Sequence, residues 1–306
     1  MSACVDDATE ANEIDQKDST VLEKGETLDS LASTEENVSD KGDKGDDGDE
    51  DDAGDDESAD TTTLFKATCG SIAFDPATHY CSEGVVQKYG YITDDRDGQI
   101  YKTVKIGDQV WMAENLNYDP NYLPKGAKDS IILSWCYNDS AEYCEKYARL
   151  YTWAAAMDSV AAFSNDGKGC GYEAECEPEG NVRGICPEGW HLPSYDEWDA
   201  LRTAVGGSEV AGKMLKSSSG WNDDDGSSGN GSDAYGFSAL PAGYWGGCPG
   251  GTCFWMNGLE AVFYSASLDE DDSYAVYCMR LRYDYESADL IIHSKDYAIS
   301  VRCLKN

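Results

Sequence analysis

The sequence predicts an α+β domain of short irregular strands, two main helices and many loops, stapled by several disulfides. Three observations carry this. Twelve cysteines lie mostly in close pairs, as in chains oxidised outside the cytoplasm. Helical periodicity is confined to a few windows. Between them run short apolar stretches broken by glycine and polar residues, in a chain rich in Tyr, Trp and Gly, which is how short strands and turns read.

Composition divides the chain. Residues 1–63 carry 23 Asp and Glu against four Lys, with no Arg, Trp, Tyr, Phe or His. Such a segment buries too little apolar surface to offset its ordering entropy, so it is expected to be a disordered acidic tether. Residues 64–96 read as a small disulfide-bounded lead-in, and 97–306 as the main domain, long enough for a substantial core. The net charge of −36 argues against nucleic acid, which is held by clustered Lys and Arg. No stretch reaches the ~18 apolar residues of a membrane span.

Along the domain, 99–113 reads as a hairpin turning at Gly107-Asp108. Ser140 is placed to cap a helix over about 141–158, with Tyr143, Tyr147, Leu150, Tyr151, Ala154 and Met157 on one face. Ser194 and Glu197 form a capping box for a second helix; Trp198, Leu201 and Val205 are its buried stripe and Gly206-Gly207 its stop. A short helix follows over about 209–216. Strands are expected at 237–243, 261–267, 274–283 and 297–304.

The close cysteines pair as short staples: Cys69 with Cys81, Cys136 with Cys144, Cys170 with Cys176, Cys248 with Cys253. The blocks 184–194 (GICPEGWHLPS) and 300–304 (SVRCL) read as halves of one signature. A bridge between Cys186 and Cys303 closes a loop of about 117 residues, worth roughly 4–5 kcal/mol on the chain-entropy model. Cys278, in a strand-like run, is expected to be a buried reduced thiol. With three His and no Cys-x-x-Cys, a zinc framework is not indicated. Ser2-Ala3-Cys4 resembles the end of a bacterial lipobox. Cys4 is therefore the expected lipidation site, with a signal peptide encoded upstream and the acidic tether following the anchor.

Five blocks in order carry a family resemblance: 97–118 (DGQIYKTVKIGDQVWMAENLNY), 148–157 (ARLYTWAAAM), 184–198, 235–244 (YGFSALPAGY) and the SVRC ending. They resemble the Fibrobacter succinogenes major paralogous domain, a family of exported bacterial surface proteins, many of them lipoproteins. More distantly, 191–198 (HLPSYDEW) and Val301-Arg302-Cys303 are similar to blocks of formylglycine-generating-type proteins, which implies a C-type-lectin-like fold. That kinship implies an oxidoreductase as an alternative function, resting on a reactive cysteine pair near the C-terminus; here the late cysteines are Cys278 and Cys303, and Cys303 is expected in a bridge. No residue is assigned a catalytic role: the three His lie in separate regions outside any nucleophile motif.

Two loops are candidate binding sites. In 221–235, Asn222, Asp223, Asp225 and Asp233, with Asn230, offer hard oxygen ligands for calcium; a polar loop satisfying its own backbone is the alternative. Trp221-Asn222-Asp223 matches a tripeptide of sugar-binding C-type lectins, without its Glu-Pro-Asn or Gln-Pro-Asp partner. In 243–256, a disulfide loop carries Tyr244, Trp245 and Trp255, with Phe254, aromatic surfaces for sugar rings or a protein. The expected function is a non-catalytic binding or adhesion domain on a lipoprotein at the outer membrane or cell surface. Polysaccharide or another surface protein is the expected partner, and a structural envelope role the third alternative.

Overall fold

The computed structural model describes residues 67–120, 134–171, 174–178, 180–249, 251–269 and 271–306. Cys4 and the acidic segment 1–63 lie outside the described residues. Among those described, 36% are in strands and 14% in helices. The expected α+β, C-type-lectin-like architecture is therefore corrected to a mainly β one.

The largest correction is the helix expected over 141–158. The structure has α1 (Ala141–Tyr147), then a strand Leu150–Thr152, then a single turn, α2 (Trp153–Ala156). Ala148 breaks the helix with φ 65°, and Ser140 makes no side-chain cap. The strand is claimed by tertiary pairing: Tyr151 lies opposite Ile299 on one side and Ser134 on the other. Leu150, Tyr151, Trp153 and Met157 are all buried. A nearly continuous apolar run satisfies both periods, and the pairing decides.

Where local chemistry is strong, the expectations hold. Helix α3 (Tyr195–Ala204) starts at the Ser194/Glu197 capping box, with both reciprocal bonds formed. Helix α4 (Ser208–Leu215) follows. The hairpin Ile100–Ile106/Gln109–Met112 turns at Gly107-Asp108. The stretch 237–243 forms no strand, only one bridge between Ala239 and Lys216, and the closing run is split into Ala298–Ile299 and Leu304–Lys305.

Those two pieces tie the fold together. Leu304–Lys305 lies between Trp190–His191 and Gln109–Met112 in a five-stranded sheet that continues through Ile100–Ile106 to Gly90–Thr93. Ala298–Ile299 is the middle strand of a second five-stranded sheet, ordered Gly251–Trp255, Tyr244–Cys248, Ala298–Ile299, Leu150–Thr152, Ser134–Trp135. A three-stranded meander, Glu260–Leu268, Ala275–Arg282 and Ala288–Ser294, completes the frame. Helix α3 packs Trp198 against Trp111 at 4.6 Å and Phe263 at 5.8 Å between ring centroids.

All five expected bridges are formed, with Cα separations of 4.9 to 5.9 Å, inside the roughly 7 Å a disulfide spans. Cys278 is a free, buried thiol. The lead-in folds as two small hairpins, Ala67–Cys69/Ile72–Phe74 and His79–Ser82/Val85–Lys88. The second docks closely on the domain. At Gly236 (φ 67°) a Cβ would meet Tyr80 Cγ at 2.6 Å, so only glycine lets the Tyr80 ring lie there.

Candidate functional site

The hairpin Tyr244–Cys248/Gly251–Trp255 is closed by the Cys248–Cys253 bridge and alternates its side chains between two faces. Tyr244 is paired with Trp255, and Trp245 with Phe254. The three expected ligand-binding aromatics are therefore divided. Tyr244 packs edge-on against Tyr297 and His293, at 5.5 and 5.8 Å, and Trp255 beside it is 37% exposed.

The other face carries more. Trp245 stacks on Trp135 with centroids 4.1 Å apart and planes 15° apart. Phe254 meets Tyr137 at 5.1 Å, Tyr137 meets Tyr143 at 5.2 Å, and Tyr143 stacks towards Tyr147 at 6.0 Å. Except for buried Tyr147, each of these rings is half-buried against a small core of Tyr147, Leu150, Ala242 and Ala298. The Cys136–Cys144 staple holds Tyr137 and Tyr143 together. The result is an aromatic ridge fixed by two disulfides. Trp135 and Tyr137 were missed from sequence; their one signal was that they flank Cys136.

The ridge leads into a cleft of about 660 Å³. Tyr147 and Lys146, at the end of α1, line it, facing the lead-in residues Phe74, His79 and Tyr80. Arg302, 1% exposed, is among its lining residues. Arg302 donates Nε and Nη2 to Asn115 Oδ1 at 3.1 and 2.7 Å, donates Nη1 to Phe237 O, and lies 4.2 Å from the Phe237 ring centre. Beside it Asp233 takes the Ser238 N–H on Oδ1 at 2.7 Å and the Ser238 hydroxyl on Oδ2. Burial pushes the Asp233 carboxyl up to about 6, against the downward pull of Ser238, Arg302 and Lys102.

The calcium candidates are not brought together. Asp233 is turned into this buried network. Asp223 lies in a two-residue strand opposite Ser228, and Asp225 sits in the turn of that hairpin at φ 44°. Asn222 N donates to Gly258 O at 2.8 Å, and Asn230 Oδ1 accepts from Trp221 N at 3.0 Å. Among the described residues, no three His, Cys, Asp or Glu side chains are placed to share a metal ion. The loop is held by hydrogen bonds within itself and to Gly258.

Of the two late cysteines, Cys303 is bonded to Cys186, and burial pushes the Cys278 thiol far above its ordinary range. His191 is held between Glu197 Oε1 at 3.0 Å and Asn306 Oδ1 at 2.7 Å. Among the described residues no helix is long and apolar enough to cross a membrane.

Together these features define a disulfide-stapled, mainly β domain that presents a rigid aromatic ridge and a polar cleft. The chain belongs to the Fibrobacter succinogenes major domain family, whose model matches residues 104–305. The lead-in wall of the cleft lies before that match. No curated protein and no solved structure matches the chain.

Proposed function

We propose that this chain is an exported bacterial surface lipoprotein, anchored through Cys4, whose domain holds polysaccharide without transforming it. The aromatic ridge carries the reading. Trp135, Trp245, Phe254, Tyr137 and Tyr143 form a half-exposed run of rings. Aromatic rings fixed by packing pair an apolar face with little entropy left to lose, which suits stacking on sugar rings. The five bridges favour an oxidising compartment. The non-catalytic half of the reading is supported by the late cysteines, one bridged and the other a buried thiol that stays protonated.

Two experiments test it. Expressed behind a bacterial lipoprotein leader, the chain is expected in the membrane fraction and Cys4→Ser in the soluble one; a soluble wild type contradicts the anchor. On a panel of insoluble neutral and acidic polysaccharides, the wild type is expected to be retained on at least one, and Trp245→Ala to pass through with its bridges intact. Passage of the wild type through every column contradicts polysaccharide binding.

A further inference from the structure

We infer that the polysaccharide held on the ridge is an acidic one, and that the cleft reads a sugar carboxylate through Lys102 and Lys146. This rests on the polysaccharide reading above and adds the ligand class.

The first ground is continuity. Tyr147 both closes the aromatic run, through Tyr143, and lines the cleft, so a chain of sugars lying along the ridge is led into it. The cleft volume falls within the ~300–1,000 Å³ usual for small-ligand sites.

The second ground is the state of the charges. In a chain with 59 acids and 23 bases, several surface cations are paired with carboxylates: Arg149 with Asp119, Arg202 with Asp199, Lys213 with Glu286, Arg280 with Asp289. Lys102 and Lys146, like every described lysine but Lys213, make no ion pair with a carboxylate among the described residues, although Lys102 lies close enough to Asp233 to pull its carboxyl down. Their ammonium groups sit over tyrosine rings instead, Lys102 at 5.3 Å from the centre of Tyr89 and Lys146 at 4.8 Å from that of Tyr147. A cation over a ring keeps its charge and its donors available.

Two of the three acids that line the cleft accept protein hydrogen bonds. Glu114 Oε2 accepts the Lys102 backbone N–H at 2.8 Å, and Asp233 is used by Ser238. Glu145, exposed at the rim, opposes an incoming carboxylate. Long-range repulsion from the acidic chain is screened over about 8 Å at physiological salt, so the local lysines decide at contact distance.

The test uses calorimetry on the intact protein at physiological salt. The probes are trisaccharides of galacturonate, glucuronate, mannuronate and guluronate, each beside its carboxyl-reduced neutral counterpart. At least one uronate is expected to bind, and its neutral counterpart about ten-fold more weakly or not at all. Lys102→Met/Lys146→Met keeps the aliphatic stems and is expected to remove that discrimination at unchanged melting temperature, while Glu145→Gln tightens uronate binding. Equal binding of charged and neutral sugars overturns the inference, as does the absence of uronate binding at millimolar concentration. Retention on neutral polysaccharide alone overturns the acidic ligand and leaves the ridge reading intact; failure of every column overturns that reading itself.

Discussion

Arg302 and Asn115 stand 187 residues apart in the chain and meet in its core, with Nη2 of the arginine 2.7 Å from Oδ1 of the asparagine. The contact joins the segment after the Ile100–Ile106/Gln109–Met112 hairpin to the stretch just before the C-terminal strand Leu304–Lys305. Asn115 completes the junction by donating Nδ2 to Tyr147 O at 3.1 Å, so one amide supports both the buried cation and the end of α1.

Asn115→Leu removes the acceptor for a buried charge. The expected loss is about 2–3 kcal/mol, read as a fall in the denaturant midpoint at unchanged slope. A neutral effect shows that Arg302 is satisfied by the Phe237 and Ser238 carbonyls alone.

The bridges differ in what they stabilise. On the chain-entropy model Cys186–Cys303, closing 117 residues, contributes about 5 kcal/mol, and Cys248–Cys253, closing five, about 2 kcal/mol. Cys186→Ala/Cys303→Ala is therefore expected to lower the melting temperature well beyond Cys248→Ala/Cys253→Ala. The smaller lesion is expected to loosen the ridge and weaken polysaccharide retention while the fold survives. Equal melting shifts contradict this ranking.

Asp233 gives a pH signature. Its carboxyl is raised from 3.8 to about 6 in the folded state, so the native chain holds that proton more tightly than the unfolded one. The stability it confers is complete below pH 3.8 and lost as pH rises through about 6. Relative to Asp233→Asn, the wild type should lose up to about 3 kcal/mol between pH 4 and neutrality. A difference independent of pH contradicts the assignment.

Calcium is expected to leave the melting temperature unchanged, because Asp233 is committed to Ser238 and Asp223 and Asp225 lie on a separate hairpin. A calcium-dependent rise that disappears in Asp223→Ala/Asp225→Ala shows that the loop rearranges into a site, since a ligand held by the native state alone stabilises it.

What was legible in the sequence was local or covalent. The capping box of α3, the turn at Gly107-Asp108 and the staples depend on residues close in sequence, and Cys186 and Cys303 were marked by their blocks. What was hidden depends on long-range pairing. Leu150–Thr152 becomes a strand because Ala298–Ile299 and Ser134–Trp135 flank it, and no window around it records those partners. The same limit applied to the site. Tyr244, Trp245 and Trp255 were visible as aromatics, but their division between two faces follows from the register of the hairpin. Trp135 joins Trp245 only through the sheet between them. Asp233 looked like its acidic neighbours until Ser238 and Arg302 folded around it.

The most direct test of the central claim is a binding isotherm on whichever polysaccharide retains the wild type, comparing Trp245→Ala with Trp255→Ala. The two residues lie on opposite faces of one hairpin, and only Trp245 belongs to the ridge. Trp245→Ala is expected to lose affinity about ten-fold or more, about 1.4 kcal/mol or above, and Trp255→Ala less than about two-fold. Loss confined to Trp255→Ala, or unchanged affinity in both, would contradict the claim.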